Sequence, residues 1–209
     1  LSAAKQEKHM SGFQPMLDGF DQVPYGNPKE MRAAIDDRTA AILVEPIQGE
    51  GAPGKAVTRE FYDLARKLTA QRGTLLLVDS IQAGLRGTGT LSIVDYPGFE
   101  DCVIPDMETW SKALNGGQYP LSVLGCNEKA ADIYQRGVYG NTMTTNPRAL
   151  EVGCAVLDLV DDALRQNIRD RGAQLVAGLK TLMDEMQRWA ERVVCLRRRR
   201  RSSGRAAAS

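Results

Sequence analysis

The chain has 209 residues, of which 43% are hydrophobic and 25% charged, enough for one well-filled core with appendages. A formal net charge of +1 gives no reason to expect overall affinity for nucleic acid or membrane, and no apolar stretch approaches the ~20 residues that span a bilayer. The four cysteines, Cys102, Cys126, Cys154 and Cys195, lack C-x-x-C spacing and are joined by one histidine, His9, so no metal site is expected. They read as reduced, mostly buried thiols of an intracellular protein.

Residues 1–27 are polar and punctuated by Gly12, Pro15, Gly19, Pro24 and Gly26, which predicts loop. Asn27 before Pro28 predicts the start of a short helix to Ile35. Ala40 to Val44 is an apolar run that stops abruptly at Glu45-Pro46, the pattern of a parallel strand buried on both faces. Gly49 to Gly54 is a loop by composition. Phe61, Leu64, Ala65 and Leu68 then recur at helical spacing behind Thr58, and Gly73 closes that helix. Thr74 to Val78 is a second buried strand, ending at Asp79. Strand, helix and strand in this order predict a right-handed parallel crossover.

After a Gly-rich turn (Gly84, Gly87, Gly89), Met107 to Trp110 reads as a strand feeding a loop at Lys112, with Gly116 and Gly117 following. Leu121 to Cys126 is another strand candidate, and Asn127 to Arg136 a short helix. Two helical pieces follow Pro147, Ala149 to Leu159 and Ala163 to Trp189, the second with Leu175, Leu179, Leu182 and Met186 on one face. Residues 195–209 hold the run Arg197 to Arg201 and otherwise mostly Ser, Gly and Ala, so this tail is expected to be disordered. A solvated end is the favoured reading of the arginines. Binding to RNA or a membrane is the alternative, and it predicts salt-sensitive association.

In an open α/β sheet, ligands bind at the carboxyl ends of the strands. Three predicted strand ends carry Glu45, Asp79 and Lys112. A lysine there can attack an aldehyde if it is partly desolvated, and a buried acid can keep a pyridine nitrogen protonated. Singly, a lysine near a glycine pair is almost always a solvated surface residue, and an aspartate at a strand end is more often a cap than a ligand.

Four segments in order connect them. Glu45-Pro-Ile-Gln-Gly-Glu-Gly51 resembles the E-P-I/V-Q-G-E-G-G segment of class III pyridoxal-phosphate aminotransferases, the group of ornithine, acetylornithine and 4-aminobutyrate aminotransferases. Leu75 to Gln82 followed by Gly87-Thr-Gly89 resembles their L-L-I/V-x-D-E-V/I-Q-T-G…R-T-G stretch. Pro105-Asp106 with Ser111-Lys-Ala-Leu-Asn-Gly-Gly117 resembles P-D-I/V…G/S-K-A/G-L-G-G-G, and Tyr139 to Pro147 resembles H-G-S-T-Y/F-G-G-N-P.

The resemblance extends from about Leu1 to Val194 and implies a fold-type I α/β large domain, a mostly parallel sheet flanked by helices. By position it implies Lys112 as the catalytic Schiff-base lysine and proton shuttle, Asp79 at the pyridine nitrogen of pyridoxal 5′-phosphate, Ile81 on a ring face and Gln82 near the phenolic oxygen. It implies Thr142 at the cofactor phosphate of a neighbouring subunit, hence a homodimer with shared active sites, and Glu45 on the substrate side, able to pair with a carboxylate-reading arginine. The substrates implied are an amino acid of ornithine, acetylornithine, 4-aminobutyrate or lysine type and a 2-oxo acid.

Ser80, Ala83 and Met143-Thr-Thr145 depart from the family pattern, which usually has an acid, a threonine and an aromatic-Gly-Gly there. Family members are about twice this length, so the expected organisation is the central part of the large domain over residues 1–162, a long helix over 163–194 leading toward a C-terminal small domain, and the tail. A related mutase, racemase or decarboxylase, or a non-catalytic remnant of such an enzyme, remain alternative readings. The compartment expected is the cytoplasm or the mitochondrial matrix.

Overall fold

The computed structural model describes residues 2–3, 7–49, 54–85, 88–138 and 146–203, with side chains left out at 7, 8 and from 191 onward. After a one-turn helix α1 (Glu7–Met10), helix α2 (Pro28–Ala34) starts where the sequence predicts it. Asn27 accepts from the backbone N–H groups of Lys29 and Glu30, and Pro28 costs no hydrogen bond in the first turn. Strand β1 (Ala41–Val44) is followed by α3 (Arg59–Arg72), which is capped by the Thr58 hydroxyl on Phe61 N and closed by Gly73 at φ 69°. That left-handed position suits glycine because no Cβ meets the neighbouring carbonyl.

Strand β2 (Leu75–Asp79) runs parallel to β1, with Val44 beside Val78. Strand β3 (Met107–Trp110) runs parallel to β2, with Asp79 beside Thr109, and β4 (Val123–Cys126) closes the sheet antiparallel to β3. The sheet is therefore mostly parallel with one antiparallel edge strand, in chain order.

Among the described residues the core lies on one face of the sheet. Leu76 and Val78 of β2, both fully buried, pack with Val44, Met31 of α2, Phe61, Tyr62, Leu64 and Ala65 of α3, and Ile93. The opposite face is more open than the apolar runs predict. Leu43 of β1 is 54% exposed and Leu124 of β4 52%, because α2 and α3 both sit on the other side. Burial of the strands on both faces is thus corrected to burial on one. The cysteine reading is corrected too: Cys126 and Cys154 are exposed and Cys102 is half-buried, all three as free thiols.

Three element boundaries also differ. Helix α4 covers only Glu128–Ala131, not the stretch to Arg136. Ile133 and Tyr134 beyond it are both more than 60% exposed, so no burial rewards a further turn. Helix α5 (Pro147–Leu159) begins at Pro147, capped by Asn146. Helix α6 runs from Asp162 through Ser203, past Val194, and arginine is among the better helix formers. Among the described residues no helix is long and apolar enough to cross a membrane.

Candidate functional site

Parallel pairing places the carboxyl ends of β1, β2 and β3 on one edge of the sheet, and the chain leaves that edge through Glu45, Asp79 and Ser111-Lys112. The local structure at each exit is specific. Past Trp110 the chain turns into a short 3-10 helix, Lys112–Asn115. Ser111 Oγ donates to Leu121 O at 2.5 Å and fixes the turn from the side.

Lys112 itself has φ +31°, a left-handed conformation that side-chain-bearing residues adopt at a cost of roughly 1–3 kcal/mol. Such strain persists only where the surroundings over-determine it. Here α5 packs on the turn through buried Ala149 and Gly153, with Leu114 buried beneath it. The Lys112 ammonium donates to Gln82 Oε1, which joins the β2 exit to the β3 exit.

Asp79 is half-buried, and its Oδ1 accepts from Ile81 N at 3.0 Å. That bond is the strand-end cap the sequence allows for, and it leaves the second oxygen without a protein donor among the described residues. Beside Asp79 in register, Thr109 Oγ1 is buried, with no hydrogen-bond partner among the described residues. Gly49 presses against Gln82, so that a Cβ at residue 49 would lie 3.0 Å from Gln82 Cγ. Glu45 Oε2 accepts from Gly49 N at 3.0 Å, which closes the loop that leaves β1.

Tyr25 was not foreseen from the sequence. Its hydroxyl donates to Glu45 O at 2.7 Å, while Lys55 donates to Tyr25 O at 2.8 Å. Burial, reinforced by the Glu45 charge, pushes the Tyr25 phenol up to about 12. A lone tyrosine in a Gly- and Pro-rich segment carries no sequence signal for such a contact, since its partner is 20 residues away.

A second feature is equally unannounced. Glu108, 4% exposed, points into the core and accepts from Ser80 Oγ, Ser92 Oγ and Ile93 N. Burial raises its carboxyl above the ordinary range, and the three donors only partly offset that.

The structure thus gathers Asp79, Ile81, Gln82 and Lys112 at one edge, with Glu45 on the adjoining strand end. Thr142 lies outside the described residues. The desolvation expected of Lys112 is not supplied by the described residues, since Lys112 and Gln82 are both exposed. Helices α2 and α3 pack on one face of the sheet, away from these two side chains. An open depression lined by Gly89, Thr90, Asp95, Glu100, Arg165 and Arg169 includes none of these residues. Among the described residues, no cluster of His, Cys, Asp or Glu could hold a metal ion.

The donor set suits pyridoxal phosphate. An amine for an aldehyde, a carboxylate for a pyridinium N–H and an orphaned buried hydroxyl beside that carboxylate share one edge.

The sheet order defines an open, mostly parallel α/β protein, a class in which ligands bind at the carboxyl ends of the strands. The chain belongs to the family described as Aminotransferase class-III, whose sequence profile matches residues 1–194. It is 38% identical over 185 residues to acetylornithine aminotransferase of Brucella melitensis, covering 88% of this chain and 44% of that protein. It is also 38% identical over 163 residues to ornithine aminotransferase 2 of Staphylococcus aureus, covering 78% of this chain and 40% of the relative.

Among solved structures, the ornithine aminotransferase of Toxoplasma gondii, reported with partial occupancy of PLP at its active site, superposes with a TM-score of 0.74 at 30% identity. That match covers 85% of this chain and 41% of the other. N-acetylornithine aminotransferase of Stenotrophomonas maltophilia gives 0.67 at 28%, covering 81% and 43%. The chain therefore spans less than half the length of the relatives it matches.

Proposed function

We propose that this chain carries the cofactor edge of a pyridoxal-phosphate-dependent aminotransferase. The amino donor would be of ornithine, acetylornithine, 4-aminobutyrate or lysine type and the acceptor a 2-oxo acid. One observation carries the reading: Lys112, Gln82 and Asp79 share one strand edge, in a chain 38% identical to an acetylornithine aminotransferase.

Bound pyridoxal phosphate supplies an electron sink for negative charge developing at the substrate carbon. Lys112 Nζ would hold the cofactor at its aldehyde carbon and, once released as a free amine, would take and return the proton at the substrate carbon. Its strained backbone fixes the origin of the side chain, and Gln82 Oε1 orients the amine. Asp79, its carboxylate held by Ile81 N, would keep the pyridine nitrogen protonated. Ile81 would pack on a ring face, Gln82 would sit near the phenolic oxygen and Glu45 would face the substrate side. Thr142 serves the phosphate of a neighbouring subunit, so the working unit is a homodimer with shared sites.

Residues 1–162 form the central part of the large domain, and the helix beyond leads toward a small domain. The chemistry belongs in the cytoplasm or mitochondrial matrix, where free amino acids and 2-oxo acids meet. Incubation of the chain with pyridoxal phosphate, 2-oxoglutarate and each donor class in turn tests the reading. Glutamate formed from one donor class, and lost in Lys112→Ala, is the expected result. Loss of amine from a donor without glutamate appearing would overturn transamination.

A further inference from the structure

We infer that Glu108 is a positioning residue: its buried carboxylate cinches both ends of the loop that carries Ile81 and Gln82 against the strand leading to Lys112. The inference rests on the reading of Asp79, Gln82 and Lys112 as the cofactor edge.

Glu108 lies beside Val78 in the parallel register and points to the same face, into the core. Its Oε1 accepts from Ser80 Oγ at 2.5 Å and from Ile93 N at 3.2 Å, and its Oε2 accepts from Ser92 Oγ at 2.6 Å. Ser80 directly follows Asp79, while Ser92 and Ile93 close the far end of the loop. One carboxylate therefore holds both ends.

Ser80 is a node in its own right. It is 1% exposed, its N–H donates to Thr109 O at 3.0 Å, and its carbonyl accepts from Gly84 N at 2.8 Å. With the hydroxyl bound to Glu108, Ser80 is tied at three points, and Asp79 and Ile81 on either side of it inherit that rigidity.

Stability alone does not account for an acid here. Among the described residues no cation pairs with Glu108, and an apolar side chain at a core position avoids the desolvation of a carboxylate. The ionisable groups that share its electrostatic surroundings are Asp95, which accepts from Ser92 N at 3.0 Å, and Tyr62, whose hydroxyl donates to Val103 O. Neither compensates its charge. The carboxylate does supply acceptors for three donors arriving from two separate ends of one loop, which no apolar residue can do.

The test uses the full 209-residue chain with Ser80→Ala, Glu108→Leu and Glu108→Gln. The first cuts only the link beside Asp79, the second removes every acceptor, and the third keeps a carbonyl acceptor without the charge. Amide hydrogen exchange is followed by mass spectrometry without cofactor, alongside titration with pyridoxal phosphate.

In Ser80→Ala and Glu108→Leu, exchange over residues 79–85 should speed up about tenfold while α3 and β1 keep their protection. The dissociation constant for pyridoxal phosphate should rise by about the same factor, the loss of one hydrogen bond of ordinary strength. Glu108→Gln should restore both to within about twofold of the original chain. Exchange over 79–85 that is unchanged in Ser80→Ala, or that quickens equally in α3 and β1, overturns the positioning role. Should the unsubstituted chain take up no pyridoxal phosphate through Lys112, the cofactor reading fails by itself, and exchange still decides the role of Glu108.

Discussion

Asp106 offers the sharpest energetic prediction. It precedes β3 with 3% of its surface exposed, and its carboxylate accepts from three elements. Arg66 of α3 donates to Oδ2 at 2.8 Å, Leu76 N of β2 to the same oxygen at 2.8 Å, and Asn127 Nδ2, beyond β4, to Oδ1 at 2.9 Å. The Arg66 side chain is only 13% exposed and that of Asp106 4%, so this is a buried pair, little screened by water.

Asp106→Ala leaves a buried guanidinium unpaired, at a cost of about 3–5 kcal/mol, which includes part of the cost of an unsatisfied N–H at Leu76. Against a domain stability of about 5–15 kcal/mol, that is a large share. With a urea slope of about 2 kcal/mol per molar, the midpoint should fall by about 2 M. Asp106→Asn keeps acceptors for Leu76 and Arg66 and should lose roughly half as much.

Burial pushes the Asp106 carboxyl up, but the bonds from Leu76, Asn127 and Arg66 outweigh it and hold the group below the ordinary aspartate range. Its contribution is therefore fully present above the unfolded value of about 4 and is lost as pH falls through the lower folded one. The gap between the original chain and Asp106→Asn should be constant from about pH 5 to 7 and narrow below about pH 4. Urea unfolding followed by far-ultraviolet circular dichroism measures it. A loss under about 1 kcal/mol in Asp106→Ala would refute the reasoning, since that is what an exposed pair contributes.

Two glycines should behave oppositely. A Cβ at Gly84 lies 2.7 Å from Ser80 O and 2.9 Å from Trp110 Cδ1, so Gly84→Ala forces backbone apart and should cost about 2 kcal/mol or more in thermal unfolding. At Gly153 the Cβ meets the movable end of Leu121 at 2.8 Å, and alanine favours the helix by ~1 kcal/mol, so Gly153→Ala should stay within about 1 kcal/mol of the original chain. Leu76→Ala, at a fully buried position, should cost about 2–5 kcal/mol by urea unfolding, and a smaller loss would mean that the face under α3 is loosely packed. The Tyr25 phenol should titrate near 12, so an ultraviolet difference titration of the chain against Tyr25→Phe should show no step from this residue at the ordinary value of about 10. Because its folded value lies above the unfolded one, Tyr25 contributes less to stability as pH rises from about 10 to 12.

The elements with their own local signals were legible in the sequence. Asn27-Pro28 and Thr58 announce helix starts, Gly73 a helix end, and Ala41–Val44 and Leu75–Asp79 their strands, because caps and apolar runs act over a few residues. Strand order then brings Glu45, Asp79 and Lys112 to one edge, and four motifs reveal the family.

What depends on distant partners was not legible. The openness of one sheet face follows from where α2 and α3 pack, and Leu43 looks the same in sequence whether covered or bare. The left-handed φ of Lys112 is imposed by α5 and the Ser111 contact, not by its own side chain. Glu108 has no local signal for its buried contacts, which arise when the register sets it beside Val78, facing Ser80 and Ser92.

The central claim is that Lys112 anchors pyridoxal phosphate at this edge, and a visible absorption spectrum tests it most directly. The purified chain and Lys112→Ala are each titrated with pyridoxal phosphate and then treated with borohydride. A cofactor band in the original chain that borohydride fixes covalently to the peptide containing Lys112, and that the variant lacks, is the result predicted. Identical spectra from the two proteins, with label on other lysines or on none, would contradict it.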